Sequence, residues 1–86
     1  MLSKTQDPKL VGVFRHTYSN GEGITIYASL ELAWKAAEQM AKSYRNDFNV
    51  PEEVTDLEAA KNWAKLTHEE EFVDVWEEPI HYEVED

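Results

Sequence analysis

Between Ser29 and Tyr44 the apolar positions recur every three or four residues: Leu30, Ala33, Trp34, Ala37, Met40, Ala41 and Tyr44. That spacing is one stripe of an α-helix. Glu31, Lys35, Glu38, Gln39 and Lys42 fall between those positions and would face water. Ser29 suits the cap, Glu31 the positive end of the helix dipole, and Lys42 and Arg45 the negative end. Trp34 is flanked by Ala33 and Ala37, small residues that allow close approach to a sheet, and is the aromatic expected to organise the core.

The segments on either side alternate as strands do. Leu10 to Tyr18 is rich in β-branched and aromatic residues. Ser19-Asn20-Gly21-Glu22-Gly23 has turn composition, and Ile24 to Ala28 forms a second strand, giving a β-hairpin. Ile24 and Ile26 are expected to face the helix. Beyond Tyr44, Asn46, Asp47, Asn49 and Pro51 make a connection, with Phe48 or Val50 as its anchor in the core. Thr55 and Glu58 have the spacing of a capping box for a second helix from Asp56 to about Leu66. Phe72 to Trp76 is strand-like, and Ile80, Tyr82 and Val84 alternate with His81, Glu83 and Glu85. Pro79 cannot donate a ladder hydrogen bond, so this strand either bends at Pro79, the favoured reading, or splits in two at Glu77-Glu78-Pro79. The expected fold is α+β, a two-layer ββααβ arrangement. It has a small three-stranded antiparallel sheet in the order 2-1-3 and two helices on one face. Residues 1–8 are expected to be a flexible leader and 9–86 a single domain.

Charge sharpens this picture. The chain has a net charge of −10 over 86 residues. Residues 1–68 carry a balance of −1, whereas 69–86 hold nine acids and no Lys or Arg, a balance of −9. Direct nucleic-acid binding needs a basic patch, and an anionic membrane surface would repel this tail. A basic protein partner is allowed. Cysteine is absent, no apolar run resembles a signal peptide, and no stretch is long enough to span a bilayer. A soluble, cytoplasmic protein is expected, and an origin in a phage or mobile element is compatible with it.

Candidate chemistry is sparse. His68-Glu69-Glu70-Glu71-Phe72 starts like HExxH but has Phe where the second His belongs, so His68 is expected to be a loop residue. His16 and His81 could approach one another if their strands pair, and are otherwise ordinary surface histidines on the outer sheet face. Ser29, Ser19 and Ser43 have structural explanations, and no G-x-S-x-G is present. Asn20-Gly21-Glu22-Gly23 lacks the Lys and Ser/Thr of a phosphate-binding loop. The carboxylate runs Glu52-Glu53, Glu69-Glu70-Glu71 and Glu77-Glu78 look solvated, so no catalytic pair stands out. No enzyme activity, cofactor or metal is expected.

These features point to a small acidic, non-catalytic interaction module. Its partner would be a basic protein, bound through the outer sheet face and the acidic C-terminal edge, with Asp74, Trp76, Glu77, Glu78, Tyr82, Glu83 and Glu85 as contacts. One alternative is a nucleic-acid-mimicking inhibitor of a DNA- or RNA-binding protein, of the kind mobile elements use against host defences. Another is a small-ligand or metal-binding domain near His16 and His81. A weak homodimer through the uncharged Ile24–Ala28 edge or exposed outer-face aromatics is a further expectation.

Overall fold

A computed structural model describes residues 9–80. Strands β1 (Lys9–Tyr18) and β2 (Gly21–Tyr27) form a hairpin, followed by helix α1 (Leu30–Tyr44) and a 3₁₀ turn over Arg45–Phe48. Helices α2 (Asp56–Lys61) and α3 (Trp63–Leu66) precede strand β3 (Phe72–Ile80). The sheet is antiparallel in the order β2-β1-β3. The expected ββααβ fold and strand order are therefore present. The leader and residues 81–86, which include His81, Tyr82, Glu83 and Glu85, lie outside the described residues. No helix among the described residues is long and apolar enough to cross a membrane.

α1 forms where its stripe predicts. The Ser29 hydroxyl accepts the Leu32 N–H, Glu31 sits in the first turn, and Lys42 in the last. The residues it buries completely are Ala33, Ala37 and Ala41. Methyl-sized side chains bring the helix axis close to its neighbours, and a glycine receives it. An added Cβ on Gly12 would lie 2.2 Å from the Ser29 carbonyl oxygen and 2.7 Å from Leu30 Cα. Only a glycine in β1 lets the cap of α1 cross the central strand at that distance.

The buried indole is not Trp34 but Trp63, 1% exposed. Trp34 is half-buried on the stripe, with the Lys61 ammonium 5.3 Å from its ring centre. Trp63 packs among Ala37, Ala41, Val50, Ala59 and Ala60, and Phe14, Val73 and Val75 close the cluster from the sheet. Phe48 meets its ring edge-on at 5.6 Å. Phe48 and Val50 thus both anchor the connection after α1. Arg45 fastens that connection, donating to Asp56 Oδ1 at 2.6 Å, to the Pro51 carbonyl at 2.7 Å and to the Val54 carbonyl at 2.6 Å.

The second helix spans the expected residues but is interrupted at Asn62, whose φ of −115° and ψ of 24° leave the helical region. Its capping box is complete. The Glu58 N–H donates to Thr55 Oγ1 at 3.1 Å, and the Thr55 N–H donates to Glu58 Oε1 at 3.0 Å. β3 runs unbroken through Pro79 to Ile80, so it is not split within the described residues. Pro79 is tolerated because β3 is an edge strand.

Two expectations about the hairpin are corrected. The turn is only Ser19–Asn20, and β2 begins at Gly21, so the edge strand includes Glu22. Ile24 and Ile26 do not face the helix. They pair with Arg15 and Val13, whereas Phe14, Val73 and Val75 point to the helices. Alternation placed the two isoleucines on one face, and the pairing register chose the outer one. Ile80 belongs to that face too, in register with Lys9.

Two outcomes follow from this packing. Trp63→Ala should cost about 3–5 kcal/mol and Trp34→Ala less than about 2 kcal/mol. Urea melts that reverse this order would refute the assignment of the core. The Thr55 N–H, and then its hydroxyl, hold Glu58 below the usual glutamate range. A carboxylate lowered in the fold stabilises fully above its unfolded value of about 4.3 and loses that contribution as pH falls through its folded value. Glu58→Gln should therefore reduce the loss of stability on acidification. Acid melts with the same slope for both proteins would refute it.

Candidate interaction surface and pocket

The sheet presents two unlike faces. On the outer face, which carries none of the described helices, Val13 lies between Ile26 and Trp76 in the ladder, and Arg15 between Ile24 and Asp74. Val11 and Val13 are 5% exposed, whereas Ile24 and Ile26 are 54% and 60% exposed. Directly opposed residues of paired strands point the same way, so these side chains form one apolar strip across three strands. Arg15 Nη2 bonds Asp74 Oδ2 at 2.8 Å, and its guanidinium carbon lies 5.5 Å from the Trp76 ring centre. The bond to Asp74 and its charge push the Arg15 pKa further up. Trp76 Nε1 donates to Glu78 Oε1.

Of the residues expected to contact a partner, Asp74, Trp76 and Glu78 share this face. Glu77 falls on the opposite one by alternation, and Tyr82, Glu83 and Glu85 lie outside the described residues. Asp74 is already engaged by Arg15, so Val13 and its apolar neighbours hold the centre of the outer face, with Asp74 and Glu78 on the β3 side and Glu22 on the β2 side.

The inner face holds a constellation that the sequence did not disclose. His16 is not on the outer face. It points to the helix side and is largely buried, with its Nε2 2.7 Å from Glu71 Oε1. The same oxygen accepts Trp63 Nε1–H at 2.9 Å. A carboxylate only accepts, so His16 carries a proton on Nε2. Among Glu69, Glu70 and Glu71, only Glu71 turns inward. The cause is the backbone: His68 and Glu69 adopt φ of 56° and 66°, which reverses the chain after α3. Thr67, fully buried, then fastens the reversal. Its hydroxyl accepts the Glu71 N–H at 3.1 Å and lies 3.2 Å from the Glu71 carbonyl oxygen. His68 itself is an exposed residue in this loop. A Trp on the second helix stripe signalled a buried N–H needing an acceptor, but nothing in the acidic run marked which carboxylate would supply it.

Beside this pair lies a pocket of about 390 Å³ lined by His16, Tyr18, Ser19, Asn20, Tyr44 and Glu71. The Tyr18 ring meets His16 edge-on at 5.3 Å, and Phe14 stacks parallel to His16 at 6.4 Å. Tyr18 and Tyr44 are 41% and 49% exposed. No three His, Cys, Asp or Glu side chains among the described residues converge to hold a metal. Comparison with protein-family models, curated proteins and solved structures finds no match to this chain.

Removing the acceptor should be felt in the core. Glu71→Ala leaves the buried Trp63 N–H unpaired and should cost about 1–3 kcal/mol. Glu71→Gln keeps an accepting oxygen and should cost less. Equal chemical-denaturation midpoints for the two variants would show that the Trp63 bond contributes nothing.

Proposed function

We propose that the protein is a non-catalytic interaction module that docks a basic protein partner through the outer face of its sheet. The observation that carries this reading is the exposure of Ile24 and Ile26 beside Val13 and Trp76. Apolar side chains left open in one strip, with an aromatic beside them and charges toward one side, suit the centre and rim of a protein interface. The acidic excess after His68 would steer a basic partner toward the β3 side and accelerate encounter. The Arg15–Asp74 pair favours this reading over imitation of phosphate charge, because mimicry needs an array of unpaired carboxylates and the strip is apolar. Self-association is the second reading. β2 is an edge strand exposed from Gly21 to Ile26 and carries a single charge, Glu22.

The test begins with crosslinking in the native source to identify a partner, followed by binding measurements with both proteins purified. Ile24→Asp with Ile26→Asp should weaken the complex at least about tenfold while leaving the melting temperature near that of the parent. Neutralising Glu77, Glu78, Glu83 and Glu85 in pairs should slow association and flatten its salt dependence. Unchanged affinity of the isoleucine variant would overturn the docking face. A concentration-dependent dimer in sedimentation that the same variant abolishes would assign the strip to a second copy instead.

A further inference from the structure

We propose that the pocket beside the His16–Glu71 pair binds an organic cation, an alkylammonium head group held by Tyr18, Tyr44 and the Glu71 carboxylate. Its volume of about 390 Å³ lies in the range of small-molecule sites, about 300–1,000 Å³. Two glycines keep it open. Gly21 pairs with Tyr18 and Gly23 with His16, so β2 places no side chain beside either ring. A Cβ added at Gly21 or Gly23 would meet nothing within 4 Å. Tyr18 and Tyr44, which line the pocket, are both exposed.

The charge of the lining selects the ligand. No Lys or Arg lines the pocket, and Glu71 is its acidic group. The bonds from His16 and Trp63 both reach Oε1. Anions are disfavoured there, and the net charge of −10 raises the local concentration of cations. The two tyrosine rings favour an alkylated ammonium over a bare metal ion, since a cation over a tyrosine face gains from the ring quadrupole and its methyl or methylene groups bury against the ring. The site is independent of the outer face, because it lies on the other side of the sheet. The same head-group chemistry occurs in a free small cation and in a lysine side chain of a partner.

Backbone-amide NMR titrations of the full chain, with choline and with Nα-acetyl-lysine methylamide, test this. At least one probe should give saturable shifts confined to His16, Tyr18, Ser19, Asn20, Tyr44, Glu71 and their neighbours. 3,3-Dimethylbutan-1-ol, which has the shape of choline without its charge, should bind at least about tenfold more weakly. Glu71→Gln, which keeps the accepting oxygen, and Gly23→Val, which fills the open flank, should each weaken the cation at least about tenfold. Tyr44→Ala, at an exposed position, should do the same and decides the matter should either of the others misfold. Tighter binding of choline would mark a free small cation as the ligand, and tighter binding of the lysine amide a partner side chain. Absence of saturable shifts with both probes, equal affinity for the neutral isostere, or full affinity of the folded variants would overturn the proposal.

Discussion

A buried indole makes two demands: room in the packing, and an acceptor for its N–H. Trp63 makes both, and much of this small structure answers them. Room comes from Ala37 and Ala41 on α1 and from Ala59 and Ala60 on α2, all essentially inaccessible. The acceptor is Glu71, which reaches Trp63 because His68 and Glu69 turn the chain back and Thr67 holds the turn. Once Glu71 is drawn in, the same oxygen meets His16 on the central strand. One satisfied indole therefore ties the second helix pair, the entry to β3 and the middle of β1 together. It also sets a carboxylate beside two accessible tyrosines.

Gly12 sets the other constraint. It lies beneath the Ser29 carbonyl, so the chain can pass from β2 into α1 through two residues and lay the helix over β1 and β3. β2 is left projecting beyond the helices, with Gly21 to Ile26 exposed on both faces. That overhang has different consequences on the two sides. Outside, Ile24 and Ile26 extend an apolar strip that begins at Val13. Inside, Gly21 and Gly23 leave the space beside His16 and Tyr18 unfilled.

Charge and apolarity are thus separated in space. Among the described residues Asp74, Glu77 and Glu78 lie on β3, and the two most exposed large aliphatic side chains, Ile24 and Ile26, lie on β2. Exposed carboxylates contribute little to folding stability, so this asymmetry bears on encounter with other molecules more than on the fold. The Arg15–Asp74 pair lies where the two regions meet and gives the outer face a fixed polar mark beside Trp76.

The elements were legible in the sequence because they rest on short-range rules. The three-and-four spacing of α1, the Ser29 cap, the Thr55–Glu58 box and the glycines of the hairpin act within a few residues of themselves. Topology followed, since a strand read to Ala28 and a helix capped by Ser29 leave so short a link that few arrangements of three strands remain. Which face each strand buries was not legible. β1 is apolar on both sides, with Val11 and Val13 on one and Phe14 on the other, so only pairing with β3 and contact with α1 settled that Ile24 and Ile26 point outward. The exchange of Trp34 for Trp63 as the buried indole has the same origin: both lie on apolar stripes, and only the packing of α1 against α2 decides which is enclosed. His16 and Glu71 stand 55 residues apart, and Glu71 is one of three consecutive glutamates with identical local chemistry. Local pattern determines periodicity and caps. The selection of one carboxylate from that run required the reversal after α3 and an unsatisfied N–H at its end, and both exist only once the chain has folded.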